Sequence, residues 1–283
     1  MKHFLLLAAL ASAAICQPAF EVKVTGHGQP MILIPGLSSS GETWDTTVAH
    51  YQDRFECHVL TLAGFAGVPR IPAPMLEHVR DAVADYIRER HLAKPVIVGH
   101  SLGGFLALAI GSKYPDLAGK LVIVDSYPFL SAVYDPKITA EQAAANADAA
   151  RQYMGGQSQD MYERYVKSGV ATRLMVTSDA NFDRITAWGL ASDRTAVADA
   201  MAELMSTDLR QAISAIHSPT LVLGSWIGFK QYTDHDKTLA NLKEQYARLP
   251  GAEIRLNDTA RHFIMWDDPQ WMFAQMDPFL VAK

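Results

Sequence analysis

The segment Val96-Ile97-Val98-Gly99-His100-Ser101-Leu102-Gly103-Gly104 constrains this chain more than any other. Val96 to Val98 form a short apolar run of the kind buried on both faces of a sheet, and a helical pattern begins at Leu102. Between them stands Gly-x-Ser-x-Gly. The pentapeptide alone is a weak signal, but a strand before it and a helix after it turn it into a specific one. A serine on so sharp a turn is pushed above the sheet. Gly99 and Gly103 leave room where a side chain would strike neighbouring backbone. The helix aims its free N–H groups and positive dipole end at the same place.

The rest of the chain repeats this alternation. Residues 31–34, 57–62, 96–98, 121–124, 220–223 and 254–256 read as strands, nearly continuous in apolar residues. Residues 42–51, 76–90, 102–114 and 239–249 fit helices, and Leu76, Val79, Val83 and Ile87 share one helical face. Such alternation predicts an α/β fold with a mostly parallel sheet and helices on both faces. The rhythm breaks between Val124 and Thr220. That interval is alanine-rich and carries helix-start signals: a capping box at Thr139 and Gln142, and Ser158, Asp179 and Asp193 ahead of helical runs. It reads as a mainly helical cap. Its aromatic and methionine side chains, Tyr153, Met161, Tyr165 and Trp188 among them, either pack the cap's own core or line a pocket. The predicted organisation is a leader at 1–19, a core of 20–127 and 216–283, and a cap of 128–215.

Lys2 and His3 open a leader-like stretch, followed by an apolar run over 4–15 and small residues at Ala11, Ala13 and Ala14. The run is shorter than the roughly 20 residues a bilayer span needs. A secreted or periplasmic protein is expected, without stable membrane insertion once the leader is removed. Cys16 raises a lipid anchor, which Ile15 directly before it disfavours. Without the leader, Cys57 is the only cysteine, so no internal disulfide or cysteine-based metal site is expected. Cys57 sits in an apolar strand and reads as packing. A net charge of −5 with no Lys/Arg run argues against a nucleic-acid partner.

Four blocks make the chain resemble the α/β-hydrolase superfamily from about residue 22 to the C-terminus: Ile34-Pro35-Gly36-Leu37-Ser38, Leu62-Ala63-Gly64-Phe65-Ala66-Gly67, the serine turn, and Ala260-Arg261-His262-Phe263. The resemblance implies Ser101 as nucleophile and His262 as base, arriving after the last strand. It implies an oxyanion hole from the backbone N–H groups of Leu102 and Leu37, with Ser38 the second choice for the latter. Many relatives carry His-Gly where this chain has Pro35-Gly36, a change a backbone donor tolerates. The acid departs from the common pattern. Relatives place it after the strand that here is 220–223, yet Gly224 to Lys230 contains no carboxylate. Asp125, at the end of the preceding strand, is the first choice, with Asp234 or Asp236 as alternatives. The serine excludes relatives that need aspartate at the turn. A small ester or lactone substrate is expected, with neither metal nor organic cofactor. An aminopeptidase, a thioesterase or a non-catalytic binding protein of the same fold are the alternatives.

Overall fold

The structure, a computed structural model, describes residues 17–282. The leader expected at 1–19 lies outside the described residues up to position 16. Among the described residues, seven strands form one sheet: β1 (Phe20–Gly26), β2 (Gln29–Ile34), β3 (Phe55–Leu62), β4 (Val96–His100), β5 (Lys120–Val124), β6 (Thr220–Ser225) and β7 (Glu253–Asn257). Their order is β1-β3-β2-β4-β5-β6-β7, and every pairing is parallel except β1 with β3.

The helices are α1 (Asp45–Tyr51), α2 (Met75–Glu89), α3 (Leu102–Lys113), α4 (Ser131–Tyr134), α5 (Ala140–Gly156), α6 (Gln159–Ser168), α7 (Asp179–Ala191), α8 (Arg194–Ser206), α9 (His235–Gln245), α10 (Ile264–Asp267) and α11 (Pro269–Val281). Side chains alternate along the inner strands. Ile32 and Ile34 face the core shared with α2, α3 and α9, whereas Met31 and Leu33 face the core shared with α1 and α11. Period-two alternation between two apolar layers is why these strands read as unbroken apolar runs. Cys57 is buried in the second layer, and burial pushes its thiol up to about 11, in keeping with packing.

Three elements differ from the sequence expectation. The antiparallel edge strand β1 was not expected. Strand β7 is also an edge, half exposed along its length and not buried on both faces. Helix α9 begins at His235, four residues before the expected start, because the Asp234 carboxylate caps it by accepting from Lys237 N–H at 2.9 Å.

Helices α4 to α8 lie between β5 and β6. The capping box at Thr139 and Gln142 is formed on both sides, at 3.2 and 3.0 Å. Ser158 and Asp193 cap α6 and α8, but α7 is capped by Ser178, with Asp179 its first helical residue. The insertion shares its apolar surface with the sheet domain. Ala196, Val197, Ala200 and Leu204 of α8 join the first layer, and Ile185 and Trp188 of α7 join the second. Tyr153, Met161 and Tyr165 face solvent instead.

Candidate active site

The parallel register brings the carboxyl ends of β2, β4, β5, β6 and β7 to one edge, with Ile34 beside Gly99, His100 beside Val124, and Ser225 beside Asn257. In open α/β sheets, ligands bind at that edge where the strand order reverses. Here the reversal falls between β2 and β4.

Ser101 sits at the end of β4 with φ 53° and ψ −120°, a strained backbone for a residue with a side chain. Its N–H donates to Val124 O at 2.9 Å, tying the turn to β5. A Cβ on Gly99 would strike the Gly103 carbonyl, and one on Gly103 would strike the Ile34 and Pro35 carbonyls. Both glycines are therefore sterically required. The loop after β2 lies directly on the turn, since a Cβ on Gly36 would come within 3.2 Å of the Ser101 Cβ. Ser39 N–H closes that loop onto Gly36 O at 3.3 Å, and among the described residues the amides of Leu37 and Ser38 have no acceptor. Leu102 N–H, at the first position of α3, has none either.

His262 follows β7. Buried Asn257 ends the strand and its side-chain oxygen accepts from the N–H groups of Thr259 and Ala260, so the chain turns at once toward the site. His262 Nδ1 lies 2.6 Å from Asp125 Oδ2. The side chains are 16% and 8% exposed, so the pair is shielded from water. Asp125 leaves the end of β5 with φ 46°, and its N–H donates to Leu223 O at 2.7 Å. Its carboxylate also accepts from Ser225 N–H at 2.7 Å and from the Ser225 hydroxyl at 2.9 Å. Because the carboxylate only accepts, Nδ1 carries the proton and Nε2 keeps its lone pair. The polar contacts of His262 run to Asp125 and His100 and not to the Ser101 hydroxyl.

Asp234 and Asp236 are occupied elsewhere. Asp234 caps α9 and pairs with Lys237 at 2.8 Å, and exposed Asp236 contacts His235. Neither touches His262.

Two features were not foreseen. Ser225 stands where the chain was read only as lacking a carboxylate. His100, to which no role was assigned, is buried with its Nε2 3.1 Å from the His262 carbonyl oxygen. Cap residues also grip the His262 loop: Phe263 N–H donates to Met175 O at 3.3 Å, the Arg261 guanidinium donates to Arg173 O and Val176 O, and Asp267 accepts from Thr177. A cleft of about 400 Å³ between loop residues 67–70 and cap residues 191–195 contains none of Ser101, His262 and Asp125.

Residues 31–275 match the model of the alpha/beta hydrolase family, and the chain belongs to that family. Among curated proteins it is similar to a pimeloyl-[acyl-carrier protein] methyl ester esterase of Vibrio cholerae, 28% identical over 167 residues covering 54% of this chain and 64% of that protein. The match thus spans less than two thirds of that relative's length. It is also similar to an N-formylmaleamate deformylase of Pseudomonas putida, 24% identical over 262 residues and 90% of both chains. Among solved structures it resembles an esterase from Exiguobacterium antarcticum with a TM-score of 0.74, at 12% identity over 93% of this chain and 96% of the other.

Proposed function

We propose that this chain is a serine hydrolase that cleaves a small carboxylic ester or lactone through an acyl-enzyme. The observation that carries the reading is a His262 ring whose Nδ1 is held by the shielded Asp125 carboxylate, on the same sheet edge as the strained turn of Ser101. That hydrogen bond leaves Nε2 free to take a proton.

Each residue then has a defined task. His262 Nε2 accepts the Ser101 proton as Oγ attacks the substrate carbonyl carbon. The oxygen of the tetrahedral intermediate takes up negative charge and is received by the N–H groups of Leu37 and Leu102. The carbon–oxygen bond to the leaving group breaks as His262 returns the proton to that oxygen. Water, deprotonated by the same histidine, attacks the Ser101 ester; the bond from carbon to Ser101 Oγ then breaks as His262 returns that proton to Oγ, which releases the acid and restores the serine. Asp125 keeps the ring in the required tautomer and stabilises the imidazolium. Every proton and electron pair is accounted for without a cofactor.

The Vibrio cholerae relative is named for cleavage of a methyl ester, which supports an ester substrate. The match to a deformylase over 90% of both chains favours a second reading, in which the same attack cleaves an N-formyl amide. A fluorophosphonate probe tests the shared step, because only an activated serine reacts rapidly with it. Labelling of the native chain and none of Ser101→Ala is expected; equal labelling of both would refute the assignment. Turnover of short-chain esters, lactones and N-formyl amides then separates the two substrate readings.

A further inference from the structure

We propose that His100 is a positioning residue for the base: its buried imidazole holds the backbone carbonyl of His262 and thereby fixes where that ring stands relative to Ser101 and Asp125. The proposal rests on the reading of Ser101 and His262 as nucleophile and base.

His100 precedes the nucleophile, but strand pleating sends adjacent side chains to opposite faces. Its ring is packed among Trp44, Phe263 and His262, with centroids 6.5, 4.6 and 4.5 Å away. The loop after β2 covers it, since a Cβ on Gly36 would lie 3.2 Å from Nδ1. Packing alone would favour an apolar ring here, because a buried nitrogen without a partner is unfavourable. Among the described residues the imidazole makes one polar contact, Nε2 to His262 O at 3.1 Å. A carbonyl can only accept, so Nε2 carries the hydrogen. Nδ1 is then a bare lone pair, and it has no partner among the described residues. One nitrogen is left unsatisfied so that the other can hold the base's backbone.

The ring is suited to hold through a catalytic cycle. Burial, and then the charge His262 would carry, both push His100 well below the usual imidazole range. His262 is the titratable group that faces it; Trp44, Phe263 and Gly36 carry no charge. His100 therefore stays a neutral donor when His262 becomes imidazolium. The residues around the base have other anchors as well: Nδ1 on Asp125, Phe263 N–H on Met175 O, Arg261 N–H on Asp267 and the Arg261 guanidinium on Arg173 O and Val176 O. His100 is the anchor that ties the base's backbone to the strand bearing the nucleophile.

His100→Phe fills the space without a donor, whereas His100→Gln places an amide N–H near the lost Nε2. The labelling rate with fluorophosphonate, and kcat and KM on p-nitrophenyl acetate, are compared at several pH values with folding checked by circular dichroism. His100→Phe should lose about tenfold to hundredfold in kcat and labelling rate with KM nearly unchanged, as expected for a displaced reacting group. His100→Gln should recover most of that loss. In the native chain, nitrogen-15 spectra should show His100 as the neutral Nε2–H tautomer throughout the pH series. A phenylalanine variant as fast as the native chain or the glutamine variant overturns the proposal. So does an Nδ1–H tautomer. Should the phenylalanine variant fail to fold, a folded but equally crippled glutamine variant overturns it and an active one supports it. A native chain that neither labels nor hydrolyses removes the Ser101 reading itself, and this one with it.

Discussion

Ser225 donates twice to Asp125, through its N–H at 2.7 Å and its hydroxyl at 2.9 Å, across the gap between the ends of β6 and β5. The two residues lie 100 positions apart, yet together they orient the carboxylate that meets His262. Asp125→Asn should therefore lower ester hydrolysis by about 10⁴, because an amide cannot stabilise the imidazolium and can impose the wrong tautomer. Asp234→Asn and Asp236→Asn should remain within a few-fold of the native rate, since one carboxylate caps α9 and the other is exposed. Rates on one ester at one pH compare the three. Retained activity in Asp125→Asn with collapse of either loop variant would place the acid after β6.

Ser225→Ala should have a smaller effect. It removes the hydroxyl donor at Oδ2 but leaves the N–H to Oδ1 and the contact to His262 intact. A fall of about threefold to thirtyfold in kcat is expected, in the range of one neutral to charged hydrogen bond. A loss as large as that of Asp125→Asn would mean that the hydroxyl does more than orient the acid.

Ser101→Ala and His262→Ala should each lose on the order of 10⁴ or more in kcat, and the double variant should be no slower than either alone. On the proposed mechanism nucleophile and base act on one proton, so removing both removes the same step once. Losses that multiply in the double variant would point to two independent mechanisms.

What the sequence made legible follows from which signals are local. The turn at Ser101, the buried strands and the caps at Thr139, Ser158 and Asp193 depend on residues within a few positions of one another, so spacing alone reveals them. Strand β1 was missed because Val22 and Val24, exposed by 39% and 43%, alternate with Glu21 and Lys23 on an edge and give no apolar run. The period-two pattern before Gly26 was the available signal. Asp125 was legible as a carboxylate at a strand end. Its partner Ser225 and the grip of His100 on His262 were not, because they depend on how distant strands lie side by side.

Stability should fall as the pH drops below about 6.5. His58 and His100 are both buried, and burial is the leading cause that lowers the proton affinity of each below the ordinary value of 6.5. For His58, the Glu56 carboxylate at 2.8 Å opposes but does not outweigh it. Above 6.5 both histidines are neutral in the folded and unfolded chains and the groups contribute no pH dependence. Below it the unfolded chain binds protons that the folded chain does not, so unfolding becomes easier toward acid, by up to about 1.4 kcal/mol per pH unit for each histidine. Urea unfolding of the native chain and His100→Phe between neutral and mildly acidic pH checks this, and the variant should show the shallower slope. Parallel curves would show that His100 takes up its proton in the folded chain.

Glu203→Ala should destabilise the chain without disabling the site. Helix α2 begins after Pro74, which offers no side-chain cap. Its first amides, Met75 and Leu76, donate instead to Glu203 Oε1 and Oε2, each at 2.7 Å, from α8 in the cap. The carboxylate thus completes a core helix from the insertion and meets the positive end of its dipole. Burial nonetheless pushes the carboxyl above its usual range, offsetting part of that gain. Removing it leaves two donors unpaired and takes away the polar link between α8 and α2, a loss of about 1–2 kcal/mol on the scale of a helix cap. Glu203 contacts neither Ser101 nor His262, so the folded variant should label with fluorophosphonate at the native rate. Urea unfolding measures the first effect and the labelling rate measures the second. An unchanged midpoint would show that solvent satisfies both amides, and a fall in labelling at full folding would show that the α8–α2 contact holds the cap in its working position.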